Sequence, residues 1–196
     1  MFRRIIIFAT IMALPLLIGC GKAPDTEMQN ADTAMKAAQD AQADQYAQNA
    51  YQAALDTLNA AMAAKEEQDS KFALFRSYGD AQKLYASAQA LAEQAASQAA
   101  AEKERMQTEA AALKDEVQAL LESANKALAS APRAKGSKAD IELLKNELAA
   151  AQTSFDGAAK DYESGDFIAA KVKLEAVKAK AETVIGDIQK ARSKKK

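Results

Sequence analysis

The 196-residue chain has no histidine, no tryptophan and a single cysteine. Without His it lacks the side chain best suited to acid–base catalysis near neutral pH and the commonest metal ligand. Zinc, haem and iron–sulfur sites are left without their usual ligand sets. A lone thiol excludes an intramolecular disulfide. The glycines are isolated, and none precedes Lys-Ser or Lys-Thr in the frame of a phosphate-binding loop. Carboxylate pairs such as Glu66-Glu67 and Glu102 with Glu104 have the chemistry for acid–base work, but on an Ala-rich helix they read as solvated faces. The expectation is no catalytic, cofactor or metal site, and no enzyme.

Helix breakers are scarce too. After Pro24 the only proline is Pro132, and the glycines are Gly79, Gly136, Gly157, Gly165 and Gly186. Period-two runs of Val, Ile and aromatics, the mark of strands, are missing. What fills the chain instead is alanine, roughly a quarter of all residues and the best helix former. The expected fold is all-α: elongated Ala-rich helical hairpins, or an antiparallel bundle, joined by a long helix.

The first residues differ from the rest. Met1-Phe2-Arg3-Arg4 is positive, and an apolar run from Ile5 to Ile18 follows, broken only by Thr10 and Pro15. A positive start, an apolar stretch and small residues at the end are the parts of a secretory signal. About 14 apolar residues is short of the roughly 20 needed to span a bilayer. Leu17-Ile18-Gly19-Cys20 resembles the lipobox of bacterial lipoproteins. That resemblance implies cleavage between Gly19 and Cys20, acylation of Cys20, and attachment to a membrane through the acyl chains. Gly21, where an Asp would imply retention in the inner membrane, implies by the same resemblance an outer-membrane protein facing the periplasm.

Beyond the signal peptide (1–19), residues 20–26 read as a lipidated tether and 27–100 as an N-terminal helical hairpin unit. Its first helix, Glu27 to Ala43, carries Met28, Ala31, Ala34, Met35, Ala38 and Ala41 on one face, and a break is expected around Asp44-Gln45-Tyr46. The second, Gln48 to Ser77, has the stripe Tyr51, Ala54, Leu55, Leu58 and Met62. It is expected to stop at Tyr78-Gly79-Asp80, with Gly79 as a left-handed cap and Asp80 as the next N-cap. A third helix has no interruption from Ala81 to about Ala131, roughly 75 Å of helix. Its segment 101–131 reads as a connector. Between Glu93 and Ala112 its only large apolar residue is Met106, so its middle is expected to be exposed and its ends packed. A loop at 132–138 leads to a C-terminal hairpin at 139–193, turned at Ser164-Gly165-Asp166. Ile141, Leu144, Leu148 and Phe155 line one arm of it, and Ala170, Leu174, Val177, Ala181, Val184 and Ile188 the other. A basic tail, 194–196, ends the chain.

Superposing the two Gly-Asp pairs, Gly79-Asp80 and Gly165-Asp166, aligns Leu55 with Ile141, Leu58 with Leu144, Met62 with Leu148, Leu91 with Val177 and Ala95 with Ala181, which reads as a duplication. Residues 31–95, with Tyr46, Tyr51-Gln-Ala-Ala-Leu55 and Tyr78-Gly79-Asp80, resemble a class of bacterial envelope proteins with a domain of unknown function. They depart from it at Ala81, where an aromatic usually follows. Tyr162-Glu-Ser-Gly165-Asp166-Phe167 resembles the turn of a tetratricopeptide repeat, although these helices are too long for that period. Neither resemblance implies an activity. The aromatics Tyr46, Tyr51, Phe72, Phe75, Tyr78 and Tyr85 gather in the first unit, where they either close gaps that Ala is too small to fill or line a groove.

Net charge is −1, but its distribution is uneven. Acidic residues dominate from Asp25 to Asp69, and basic ones from Lys171 to Lys196. Two readings stand: complementary faces within the protein, or a basic end that meets an anionic surface. Nucleic acid is not an expected partner of an exported chain of this charge. The lysines Lys194, Lys195 and Lys196 are candidate cell-wall contacts, since a terminal lysine behind a helix resembles the peptidoglycan-linked end of a small enterobacterial lipoprotein. The functional expectation is a lipid-anchored, non-enzymatic scaffold or adaptor for protein partners. The alternative is an envelope tether that binds peptidoglycan through the basic end. Replacing Cys20 by Ser should abolish incorporation of labelled palmitate and leave an unprocessed precursor on a gel; labelling that persists would refute the lipobox reading.

Overall fold

A computed structural model describes residues 22–130 and 138–193, with side chains described for 22–130 and 140–190. The signal segment, the lipobox Leu17-Ile18-Gly19-Cys20, residues 131–137 and the tail Lys194-Lys195-Lys196 lie outside the described residues. Among the described residues there are six α-helices and no strand: α1 (Asp25–Asp40), α2 (Ala43–Tyr46), α3 (Gln48–Asp69), α4 (Gly79–Ala129), α5 (Lys138–Glu163) and α6 (Phe167–Ser193). The protein is all-α, with helices packed as in a bundle. It divides into two compact units, one ending at Glu102 and the other beginning at Lys103. α4 contributes residues to both.

In the first unit, buried Pro24 leads into α1 and its carbonyl accepts the Met28 N–H at 2.9 Å. Asp25 and Glu27 in the first turn suit the positive end of the helix dipole. α1 ends at Asp40, and Gln42 just beyond it has a left-handed φ of 58°. A single turn, α2, follows, and Ala47 then bends the chain into α3. The expected break around residues 44–46 is therefore a pair of kinks, one on each side of a short turn. Gln39 donates to the Tyr51 hydroxyl across this joint at 2.8 Å.

The buried positions are mostly alanines: Ala31 and Ala38 on α1, Ala54 and Ala61 on α3, and Ala88, Ala92, Ala95 and Ala99 on α4. A methyl side chain lets helix axes approach to the short end of the usual 8–10 Å. Tyr46, Tyr78 and Tyr85 fill the larger spaces, and Tyr85 is fully buried. The α3 stripe runs through Ala54, Leu58 and Ala61; Met62, expected on it, is 53% exposed. Small residues define the contact face here, so the largest apolar side chain is not a guide to it. α3 also stops at Asp69, eight residues before the expected end, and Gly79 opens α4 with no left-handed cap. Residues 70–78 span the gap, so no residue there has to take a positive φ.

The second unit has a larger-residue core. Val117, Leu121 and Ala124 of α4 pack with Leu148, Ala151 and Ala158 of α5 and with Leu174, Val177 and Ala181 of α6. The C-terminal part of α4, where packing is expected, is thus a core helix of this unit. The exposed stretch expected in the middle of α4 is shorter than the sequence spacing implied, because Ala95, Ala99 and Ala110 are fully buried. All six apolar positions expected on α6 are buried.

The α5–α6 turn follows from its three residues. Gly165 has φ 83°, its N–H bonds Tyr162 O at 3.1 Å, and the Asp166 N–H bonds Asp161 O at 2.9 Å. This is the paired capping pattern that glycine permits at a helix C-terminus. Asp166 then caps α6 through the Ala169 N–H at 2.9 Å, and Lys173 pairs with Asp161 at 2.6 Å. Tyr162 packs against Phe167, with ring centroids 5.3 Å apart, beneath the Lys114 ammonium.

The basic face of α6 finds acids on α4. Lys171 pairs with Glu109 at 2.7 Å and Lys178 with Glu116 at 2.5 Å. The hydrogen bond from Lys171 holds the Glu109 carboxyl below its ordinary value, and the bond to Glu116 holds Lys178 above its own. In the register of the suggested duplication, Ala95 and Ala181 are both buried and Leu55 and Ile141 both half-buried, whereas Leu91 is half-buried where Val177 is buried and Met62 is exposed where Leu148 is buried.

Tyr85 makes a sharp test of this packing. Its ring is fully buried and its hydroxyl has no hydrogen-bond partner among the described residues. Tyr85→Phe should therefore raise stability by about 1 kcal/mol, because an unpaired buried polar group is removed. Leu174→Ala, in the other unit, should cost about 3 kcal/mol. Urea unfolding followed by circular dichroism checks both, and a destabilised Tyr85→Phe would show that the hydroxyl is satisfied.

Candidate functional surfaces

The segment between α3 and α4 is built from residues that tie it down and residues that it holds outward. The last turn of α3 carries Glu66, Glu67 and Asp69 and no basic residue, an unfavourable charge at the negative end of a helix dipole. The chain beyond supplies the compensation. Arg76 folds back and donates to the backbone carbonyls of Asp69 at 2.7 Å and Lys71 at 2.9 Å. The Ser77 N–H bonds the Gln68 side chain at 3.1 Å. Asp69 accepts from Lys65 at 2.7 Å and from the Tyr78 hydroxyl at 2.5 Å. Lys71 pairs with Glu67 at 2.9 Å.

Within this frame, Ala73–Phe75 makes one 3-10 turn closed by Phe75 N–H to Phe72 O at 2.8 Å. Phe72, Leu74 and Phe75 point away from the fold, 70%, 69% and 76% exposed. The two rings stand 6.4 Å apart at a tilt, touching each other rather than a core. Three large apolar side chains held together on the surface by an ordered turn form a patch of the kind that marks an interaction site. The six aromatics grouped in the sequence therefore split. Tyr46, Tyr78 and Tyr85 are core, Tyr51 is half-buried, and the two phenylalanines are surface. The period-3.6 reading missed this because it continued α3 through Phe72 and Phe75. The signal available was Arg76-Ser77-Tyr78 after an acidic helix end.

A second surface lies on the other unit. Glu147 and Ala150 of α5 and Ala179, Lys180, Thr183 and Val184 of α6 line an open groove of about 470 Å³. Its lining combines two alanines, a threonine and a valine with one acid and one base. A smaller hollow of about 250 Å³ between α4 and α5 is lined by Gln118, Leu121, Glu122, Asn125, Gln152 and Phe155.

Of the residues singled out from the sequence, Leu17, Ile18, Gly19, Cys20, Lys194, Lys195 and Lys196 lie outside the described residues, so no geometry attaches to them. Glu67 is exposed and paired with Lys71. Among the described residues, no three His, Cys, Asp or Glu side chains group as metal ligands would, and no helix is long and apolar enough to cross a membrane. No protein-family model, curated protein or solved structure shows a significant match to the chain.

The network at the end of α3 is pH-sensitive in a defined direction. Hydrogen bonds from Lys65 and then Tyr78 hold the Asp69 carboxyl below its ordinary 3.8. The bond to Asp69 holds Lys65 above 10.5, and holds the Tyr78 hydroxyl above 10.0. A depressed carboxyl stabilises above 3.8 and loses that contribution as pH falls through its folded-state value. The raised tyrosine and lysine contribute at lower pH and lose it as pH rises through theirs. Stability from this network should hold between about pH 3.8 and 10.0 and fall on both sides. Thermal unfolding of Asp69→Asn should show a shallower acid decline than the parent protein, and identical slopes would remove Asp69 from the account.

Proposed function

We propose that the protein is a bacterial envelope lipoprotein, anchored through acyl chains on Cys20, that acts as a non-enzymatic helical adaptor for protein partners. The anchor rests on the resemblance of Leu17-Ile18-Gly19-Cys20 to the lipobox. Two or three acyl chains on one residue hold a protein stably on a membrane, whereas one chain binds only marginally. The reading assigns the chain to the outer membrane, facing the periplasm, on the strength of Gly21.

The observation that carries the adaptor role is the groove between α5 and α6. Ala150 and Ala179 keep it shallow and smooth, so a partner helix can lie close, as amphipathic helices do in apolar grooves. Glu147 and Lys180 on its rims offer one charge of each sign to orient that helix. Specificity from such a rim comes more from charge placement than from area.

In-cell crosslinking of the tagged protein tests this reading. Discrete partner bands are expected, and they should vanish when Cys20→Ser is exported behind a cleavable secretory signal. Ala150→Arg with Ala179→Arg, both exposed positions, should lose at least one band while helix content is unchanged. If no protein bands form and the protein is instead retained on purified sacculi until Lys196 is deleted, the adaptor reading fails in favour of a wall tether.

A further inference from the structure

We infer that the Phe72–Phe75 turn is a second membrane contact, seated in the headgroup–acyl boundary of the bilayer that holds Cys20. The inference rests on the lipid-anchor reading and adds to it a surface of the folded protein.

The argument starts from register within the first unit. Gln39 of α1 bonds Tyr51 of α3 at the joint between the two helices. The joint between them is only residues 41–47, and the two helices touch beside it, so the chain reverses there. Residue numbers rise along one helix as they fall along the other, so α1 and α3 run antiparallel. The start of α1 is therefore at the same end of the unit as the finish of α3. Counting from the Gln39–Tyr51 level, Asp25 is level with Lys65, and Asp69 extends about 6 Å further at 1.5 Å per residue. The turn that carries Phe72, Leu74 and Phe75 lies past that, at the end where the chain from Cys20 enters the fold.

Chain length then limits the distance. Cys20 is four residues from buried Pro24, and such a segment reaches at most about 14 Å. A bilayer holding the acyl chains is thus within a short tether of the end of the unit that displays the apolar turn. Exposed Phe and Leu side chains on an ordered frame are suited to shallow insertion, about 5–10 Å into the boundary region. Charge adds little. Lys65, Lys71 and Arg76 are balanced by Glu66, Glu67 and Asp69, and Lys71 and Arg76 are already held by Glu67 and by the backbone carbonyls of Asp69 and Lys71. The contact is apolar, and insensitive to salt.

The chain has no Trp of its own, so Phe75→Trp supplies a single fluorescent reporter at the turn. The full-length lipoprotein carrying it is purified from membranes, weighed by mass spectrometry for acyl chains, and reconstituted into phosphatidylethanolamine–phosphatidylglycerol vesicles with or without brominated phosphatidylcholine. The expected result is blue-shifted emission that loses about half its intensity to bromines near the top of the acyl chains, unchanged in high salt. Adding Phe72→Ser and Leu74→Ser, both at exposed positions, should restore most of that intensity without loss of helix. Acylated protein with unquenched, solvent-like emission overturns the inference and leaves the anchor reading intact. A blue shift without bromine quenching overturns it in favour of a protein or a second copy on the turn. Quenching undiminished by the two serines overturns it as well, since the anchor alone would then account for proximity. A mass without acyl chains removes the anchor reading, and the second contact with it.

Discussion

Alanine-faced helix packing is the constraint on which the rest of the first unit depends. An alanine methyl buries little area, and at about 25 cal/mol per Å² each such contact contributes little. Stability must come from many contacts at close approach, with a few larger side chains placed where the helices diverge. Tyr46, Tyr78 and Tyr85 have that place, and Tyr85 is buried even though its hydroxyl finds no partner among the described residues. The second unit answers the same problem differently, with Leu148, Leu174 and Val177 among its buried alanines. One chain thus holds two helical units with distinct core chemistry, sharing α4.

The ordered turn between α3 and α4 reverses the usual use of apolar residues. Its polar groups are turned inward onto the end of α3, through Arg76, Ser77 and Tyr78, and its large apolar ones are turned out. The inward bonds answer an acidic helix end that would otherwise be unfavourable. The outward phenylalanines and leucine contribute nothing to a core and form an exposed apolar patch of the kind that marks an interaction site. The lipid anchor proposed at Cys20, four residues ahead of Pro24, gives the proposed membrane contact of this patch a physical setting.

Charge asymmetry along the sequence resolves partly into local pairs. Lys171 and Lys178, at the start of the basic segment, are matched by Glu109 and Glu116 on α4 within their own unit. Part of the basic character of α6 is therefore structural: it aligns two helices along a line of matched charges spaced one heptad apart. Exposed or half-exposed pairs of this kind contribute modestly to stability. They fix which face of α6 meets α4 more than they hold it there.

The helical class, and the buried face of α6 from Ala170 to Ile188, were determined by the sequence itself, because Leu174, Val177, Val184 and Ile188 recur at helical spacing and large apolar side chains at that spacing have one place to go. The Gly165 turn was equally legible, since only a tight three-residue connection demands a left-handed residue. The readings of a signal segment and of a lipobox ending at Cys20 rest on sequence alone. Tertiary structure decided the rest: where α3 stops, that Gly79 begins a helix instead of capping one, and that Met62, Phe72 and Phe75 are surface. The physical reason is common to all of these. Where alanine makes the contacts, periodicity does not single out a face, and the position of a helix end is set by the hydrogen bonds that Arg76, Ser77 and Tyr78 make back to Gln68, Asp69 and Lys71, which exist only once the chain has folded back on itself.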